Sequence, residues 1–146
     1  MKNLAVLTAA LLVMACGSPA GPEEAVRQWV ADAEAAVEAR DRGSLIDMIE
    51  DGYIDARGNR RDDIDKLLRL YFLRSQKIVL ASKIDRLSII DDSAANVMLT
   101  VGMAGTDAGL FGFSADAYRF ELELEISGGA WKLIGARWGA LGEELR

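Results

Sequence analysis

Histidine is absent from this 146-residue chain, and cysteine occurs once, at position 16. Those two counts remove most of the usual reactive constellations. No imidazole is present to act as a base, a triad member or a metal ligand. One thiol excludes an internal disulfide and a thiolate zinc cage. No metal site and no cofactor is implied. Asp62-Asp63-Asp65 and Asp91-Asp92 lack the spacing of a calcium loop and read as a helix start and a turn. Arg57, Arg60 and Arg61 form the one basic cluster, read as a solvated loop, with contact to anionic lipid headgroups as the alternative. With 17 Lys and Arg against 23 Asp and Glu, the formal net charge is −6. That balance argues against nucleic acid, whose binding rests on cations at phosphates.

The lone thiol stands at the end of an address signal. Lys2 supplies the positive start, and Leu4 to Ala15 is apolar except for Thr8. A spanning helix needs about 20 apolar residues, so the run is too short to cross a membrane and fits a secretory signal. Val13-Met14-Ala15-Cys16 resembles the bacterial lipobox. The resemblance implies cleavage before Cys16, a thioether-linked diacylglycerol and acylation, with palmitate as a typical chain, of the new amine. Two or three acyl chains anchor stably where one is marginal. Gly17, in place of an aspartate, leans toward the periplasmic face of the outer membrane. The expected organisation is a signal peptide at 1–15, a lipidated cysteine and tether at 16–21, and one domain at 22–146.

The elements of that domain follow from periodicity. Pro22, Glu23 and Glu24 open a helix whose stripe is Ala25, Val26, Trp29, Val30, Ala33 and Val37. Arg40 and Arg42 fall in its last turn, and Gly43 ends it. Ser44 with Asp47 starts a second helix over 44–50. Tyr53-Ile54-Asp55, between two turn signals, is a brief strand. A third helix at 62–75 faces inward with Ile64, Leu67, Leu68, Tyr71 and Phe72, supported by Asp62–Lys66 and Asp65–Arg69 pairs. Strands follow at 78–90 and 95–103, then a glycine-rich loop at 104–112 whose Leu110-Phe111-Gly112-Phe113 is a pocket lid, a partner contact or a strand start. The clearest strand alternates Tyr118, Phe120, Leu122, Leu124 and Ile126 with Arg119, Glu121, Glu123 and Glu125. Gly128-Gly129 turns it into a last strand at 130–141.

A two-residue turn predicts the last register. Ile126 faces Trp131, Leu124 faces Leu133, Leu122 faces Gly135 and Phe120 faces Arg137 on the apolar side. Glu125 meets Lys132, Glu121 meets Ala136 and Arg119 meets Trp138 on the polar side. Arg137 then projects inward, with Gly135 and Gly139 leaving space beside it. An unpaired arginine in a dry core is prohibitive. It binds an anion in a pocket, pairs with an acid such as Asp51 or Asp55, or is turned to solvent by a bulge. Trp138, on the polar face, marks a sheet-to-sheet interface or lies under a loop.

Helix Glu24–Arg40, the segment Asp51-Gly52-Tyr53-Ile54-Asp55, helix Asp62–Ser75 and the closing hairpin around Gly128-Gly129-Ala130-Trp131-Lys132-Leu133 come in an order that resembles the nuclear transport factor 2-like (SnoaL-like) superfamily. The resemblance implies an α+β cone, two to three N-terminal helices packed on a curved antiparallel sheet, with a pocket at the open end. Members include isomerases, cyclases and dehydratases, and also non-catalytic binding domains, so the fold alone does not assign a reaction. The resemblance places a catalytic base, if there is one, at Asp51 or Asp55. The first helix carries Trp29 where the steroid-isomerase type has a tyrosine, and the later strands offer no inward acid. Histidine-dependent members are excluded.

The reading is a lipid-anchored envelope protein whose cone binds a small molecule or an envelope protein without catalysis. Tyr53, Tyr71, Tyr118, Phe120 and Arg137 are the pocket residues, the tyrosines and Arg137 giving polar handles in an apolar wall. The alternatives are an acid–base enzyme using Asp51 or Asp55 with Arg137 at an oxyanion, and an envelope assembly factor or homodimer joined through Trp138 and the outer sheet face.

Overall fold

The computed structural model describes residues 20–107 and 113–146. The expected signal peptide, Cys16 and Leu110-Phe111-Gly112 lie outside the described residues. Three helices precede a four-stranded sheet: α1 Pro22–Glu38, α2 Arg42–Asp47, α3 Arg61–Arg74, β1 Ser75–Ile90, β2 Ala94–Asp107, β3 Phe113–Ser127 and β4 Ala130–Ala140. The strands form an antiparallel meander in chain order.

Helix α1 starts as its sequence demands, with Pro22 at the first position and Glu23 and Glu24 at the positive end of the helix dipole. It ends earlier than Gly43. Arg40 takes the left-handed conformation (φ 54°), and the Arg40 and Asp41 amides turn back to the Val37 and Ala36 carbonyls. This is a Schellman end, which usually recruits glycine. The Arg40 guanidinium holds the Ser75 carbonyl at 3.0 Å, a contact glycine would forgo. The next cap is Asp41, not Ser44. Its carboxylate accepts from the Ser44 amide (3.0 Å) and hydroxyl (2.7 Å), and those bonds lower its pKa. At α3 the Asp63 carboxylate accepts from the Arg60 amide at 3.1 Å and pairs with Lys66, while Asp65 pairs with Arg42. These partners replace the expected Asp62–Lys66 and Asp65–Arg69 pairs.

Val26 and Val30 of α1 press into the sheet against a cluster that includes Ala95, Val97, Leu99, Leu122 and Leu124. The sheet bends around the helix at bulges near Gln76, near Asp85 and at Ile134. The β1–β2 turn places Asp91 and Asp92 at φ 49° and 56°, and the β3–β4 turn places Gly128 and Gly129 at 60° and 82°. Both have the handedness that matches strand twist. The first part of the expected glycine loop, 104–107, belongs to β2, and 108–112 lie outside the described residues. Gly105 pairs with Ile78, and a Cβ on Gly105 would stand 3.3 Å from the Lys77 carbonyl oxygen, so glycine there permits close strands rather than a loop.

The expected strand at Tyr53-Ile54-Asp55 reduces to one bridge between Ile54 and Arg60. The segment instead lies along the free edge of β4. The amides of Glu50, Ile54 and Ala56 donate to the carbonyls of Leu133, Ile134 and Ala136 at 3.0, 3.3 and 3.0 Å. Further along the same edge, Trp138 and Arg146 exchange both backbone bonds, at 3.1 and 3.2 Å. The edge is therefore covered rather than left as a template for pairing.

Candidate functional site

Helices and sheet line a cavity of about 400 Å³ that is open to solvent. Trp29, Val30, Ala33, Glu34 and Val37 of α1 form one wall. Ile64, Leu67, Leu68 and Tyr71 of α3 form the second, and the inward residues of all four strands form the third. The volume falls within the range of about 300–1,000 Å³ that small-molecule sites occupy.

The β3–β4 register decides which side chains reach it. Near the turn the expected pairs hold: Ile126 with Trp131, Glu125 with Lys132, Leu124 with Leu133. Ile134 is then an extra residue on β4, and the remaining pairs shift by one: Leu122 with Ala136, Glu121 with Arg137, Phe120 with Trp138. The expected inward Arg137 is corrected by this bulge. Its guanidinium is 2.6 Å from the Glu121 carboxylate on the outer face, about half exposed. The bulge keeps the glutamates in water, moves the arginine to join them, and brings the indole of Trp138 inside. Trp138 on the outer face is corrected by the same shift. Its ring stacks on Phe120, centroids 6.3 Å apart and planes 21° apart. The Arg57 guanidinium caps the indole at 4.5 Å and bonds the Trp138 carbonyl at 3.2 Å. Arg57 is thus tied down, as is Arg61, which bonds the Ile46 and Ile49 carbonyls and faces Asp51 at 3.4 Å.

Of the other expected pocket residues, Tyr53, Tyr71 and Phe120 line the cavity. Tyr118 contacts the Phe120 ring at 6.4 Å but is not in the wall. Tyr53 is 2% exposed, and burial, with the Asp55 charge adding, pushes its phenol well above the ordinary tyrosine range. Neither aspartate reaches the cavity. Asp51 is on open surface. Asp55 is buried, but its carboxylate accepts from the Arg57 amide, the Asn59 amide and the Asn59 side chain at 2.9, 2.8 and 2.9 Å, which locks the 55–59 turn.

The one carboxylate in the wall belongs to Glu34, a residue the sequence reading passed over. The Ser82 hydroxyl of β1 donates to it. Position alone marks it: Glu34 stands one turn past Val30 and three residues before Val37, inside the apolar stripe.

The fold, a helical layer on a four-stranded meander, recurs in solved structures. The hexachlorocyclohexane dehydrochlorinase LinA-type3 of Novosphingobium barchaimii matches with TM-score 0.68 at 16% identity, over 84% of this chain and 87% of that one. A ketosteroid isomerase-like protein of Erwinia carotovora atroseptica matches with 0.68 at 13%, over 83% and 97%. A nuclear transport factor 2-like superfamily protein of Salmonella enterica matches with 0.68 at 12%, over 84% and 96%. The chain has the nuclear transport factor 2-like fold. No family model and no curated protein matches its sequence. At these identities the likeness covers architecture, and the cavity's chemistry has to be read from its own residues.

Proposed function

We propose that this chain is a lipid-anchored protein of the bacterial envelope, facing the periplasm from the outer membrane, whose cone holds a small apolar molecule without transforming it. The observation that carries the binding reading is the cavity wall: 23 residues, apolar or aromatic apart from Glu34 and Ser82. Apolar walls with few polar groups suit retention by burial. Asp51 and Asp55 outside the cavity, with no arginine inside it, leave the acid–base reading without its expected residues.

Two measurements test the parts separately. Cys16→Ser is expected to abolish palmitate labelling and to release the protein from membranes; unchanged fractionation overturns the anchor. N-phenyl-1-naphthylamine, a neutral apolar fluorophore, is expected to bind saturably at one site and to be blocked by Ala33→Trp, which fills the cavity. Absence of binding, or binding indifferent to Ala33→Trp, overturns the binding role.

The names of the structural neighbours keep one second reading in view, an acid–base enzyme. Its base in this cavity would be Glu34. Trp138, turned inward, no longer supports assembly or dimerisation through the outer sheet face, where Arg137 and Glu121 stand instead.

A further inference from the structure

The cavity carries one sign of charge. Among the described residues Glu34 is its only carboxylate, and no lysine or arginine lines it. Glu34 enters no ion pair among the described residues, and the bond it does accept comes from a neutral hydroxyl, that of Ser82. Three features deepen the negative potential there. Glu34 lies in the C-terminal part of α1, where the helix dipole is negative, and the last turn of α1 contains no base. Glu38 follows one turn later on the same edge, its carboxylate accepting the Leu80 amide at 2.8 Å. The rest of the wall includes the rings of Trp29, Tyr53, Tyr71 and Phe120, whose faces attract cations. A half-buried carboxylate without a counter-charge is an incomplete pair, and an entering anion would meet both like charge and negative ring faces.

We propose that the cavity takes an amphiphile with a protonated amine head, the ammonium held by the Glu34 carboxylate and the apolar body packed among the rings, and that it discriminates against the carboxylate of the same chain length. This rests on the binding role proposed above and names its ligand class. The Ser82 hydroxyl orients one carboxylate oxygen and leaves the other for the ligand. The site is read by charge as well as by volume.

Displacement of N-phenyl-1-naphthylamine from the full-length protein by decylamine, decanol and decanoate at pH 7 tests it. Decylamine is expected to displace the probe at a concentration lower than decanoate by about tenfold or more, the change in affinity that a partly desolvated charge pair supplies. Glu34→Gln, which retains an acceptor for Ser82, is expected to bring the amine and the acid together while the neutral probe still binds. Glu123→Gln, on the outer face, controls for attraction of amines by the overall negative charge and is expected to leave the gap unchanged. Decanoate binding as well as decylamine overturns the proposal, and this wild-type comparison stands whether or not a variant folds. A gap that survives Glu34→Gln, or one closed equally by Glu123→Gln, also overturns it. Failure of the probe itself to bind removes the binding role and this proposal with it, whereas probe binding without amine preference removes this proposal alone.

Discussion

Phe120 and Trp138 stack across the β3–β4 pairing with centroids 6.3 Å apart, and the Arg57 guanidinium lies over the indole at 4.5 Å. Three elements therefore meet at one ring: the inner sheet, the 55–59 turn and the cavity wall. Replacing Trp138 by alanine removes all three contacts. We expect a loss of about 2–4 kcal/mol in unfolding free energy, at or below the range for truncating a core aromatic because the ring is partly exposed, and a weaker near-ultraviolet signal. Urea denaturation followed by circular dichroism measures both.

Arg137 makes the opposite prediction. Its pair with Glu121 is solvent-exposed, and exposed pairs contribute about 1 kcal/mol or less. Arg137→Ala is expected to cost no more than that and to leave probe binding unchanged. A large loss of stability, or of binding, would show the guanidinium to be inside and the bulge at Ile134 to be misplaced.

The two neighbours Arg137 and Trp138 show where the sequence was legible and where it stopped. The alternation from Tyr118 to Ile126 assigns faces on β3 without ambiguity, because exchanging them would bury three glutamates. Counting outward from Gly128-Gly129 is sound for the first four pairs, Ser127–Ala130 to Leu124–Leu133. A bulge inserts one residue without any composition signal of its own, and everything beyond it exchanges faces. Helix positions in the domain were readable because apolar stripes and Pro22 mark them. The caps were not, since Arg40 and Asp41 serve where Gly43 and Ser44 look better by type. Glu34 was visible in the stripe but reads as an ordinary helix former until the Ser82 strand is placed against it.

Gly139 tests the C-terminal segment. A Cβ at this position would lie 2.8 Å from the Glu144 carbonyl oxygen. Gly139→Ala must push the backbone of 143–146 away and break the Trp138–Arg146 exchange. The expected cost is about 1–3 kcal/mol, typical of an overpacked position. Carboxypeptidase trimming of the tail should accelerate. Wild-type stability and trimming would show that the segment does not pack there.

Tyr53 sets an alkaline limit. Its pKa is raised in the folded chain above the ordinary value of 10.0, first by burial and then by the Asp55 charge. The folded state favours the neutral phenol, so the Tyr53 contribution is fully present below pH 10.0 and is lost as pH rises above it, because the unfolded phenol ionises first. Tyr53→Phe is expected to flatten this part of the stability profile. Equal alkaline slopes for the two proteins, measured by denaturant midpoint against pH, would contradict it.

Helix α3 supplies one wall of the cavity yet has no fully buried residue, and Leu67, Leu70 and Leu73 are half or more exposed. It is attached at its start by Arg61, along its length by the Arg42–Asp65 pair and the packing of Ile64 against the core, and at its end by direct continuation into β1. The buried core is concentrated in α1 and the sheet. Opening of α3 is expected to cost less free energy than global unfolding: in a hydrogen-exchange measurement the amide protons of 61–74 should exchange with solvent before those of β2 and β3, and equal protection of the helix and the two strands would contradict it.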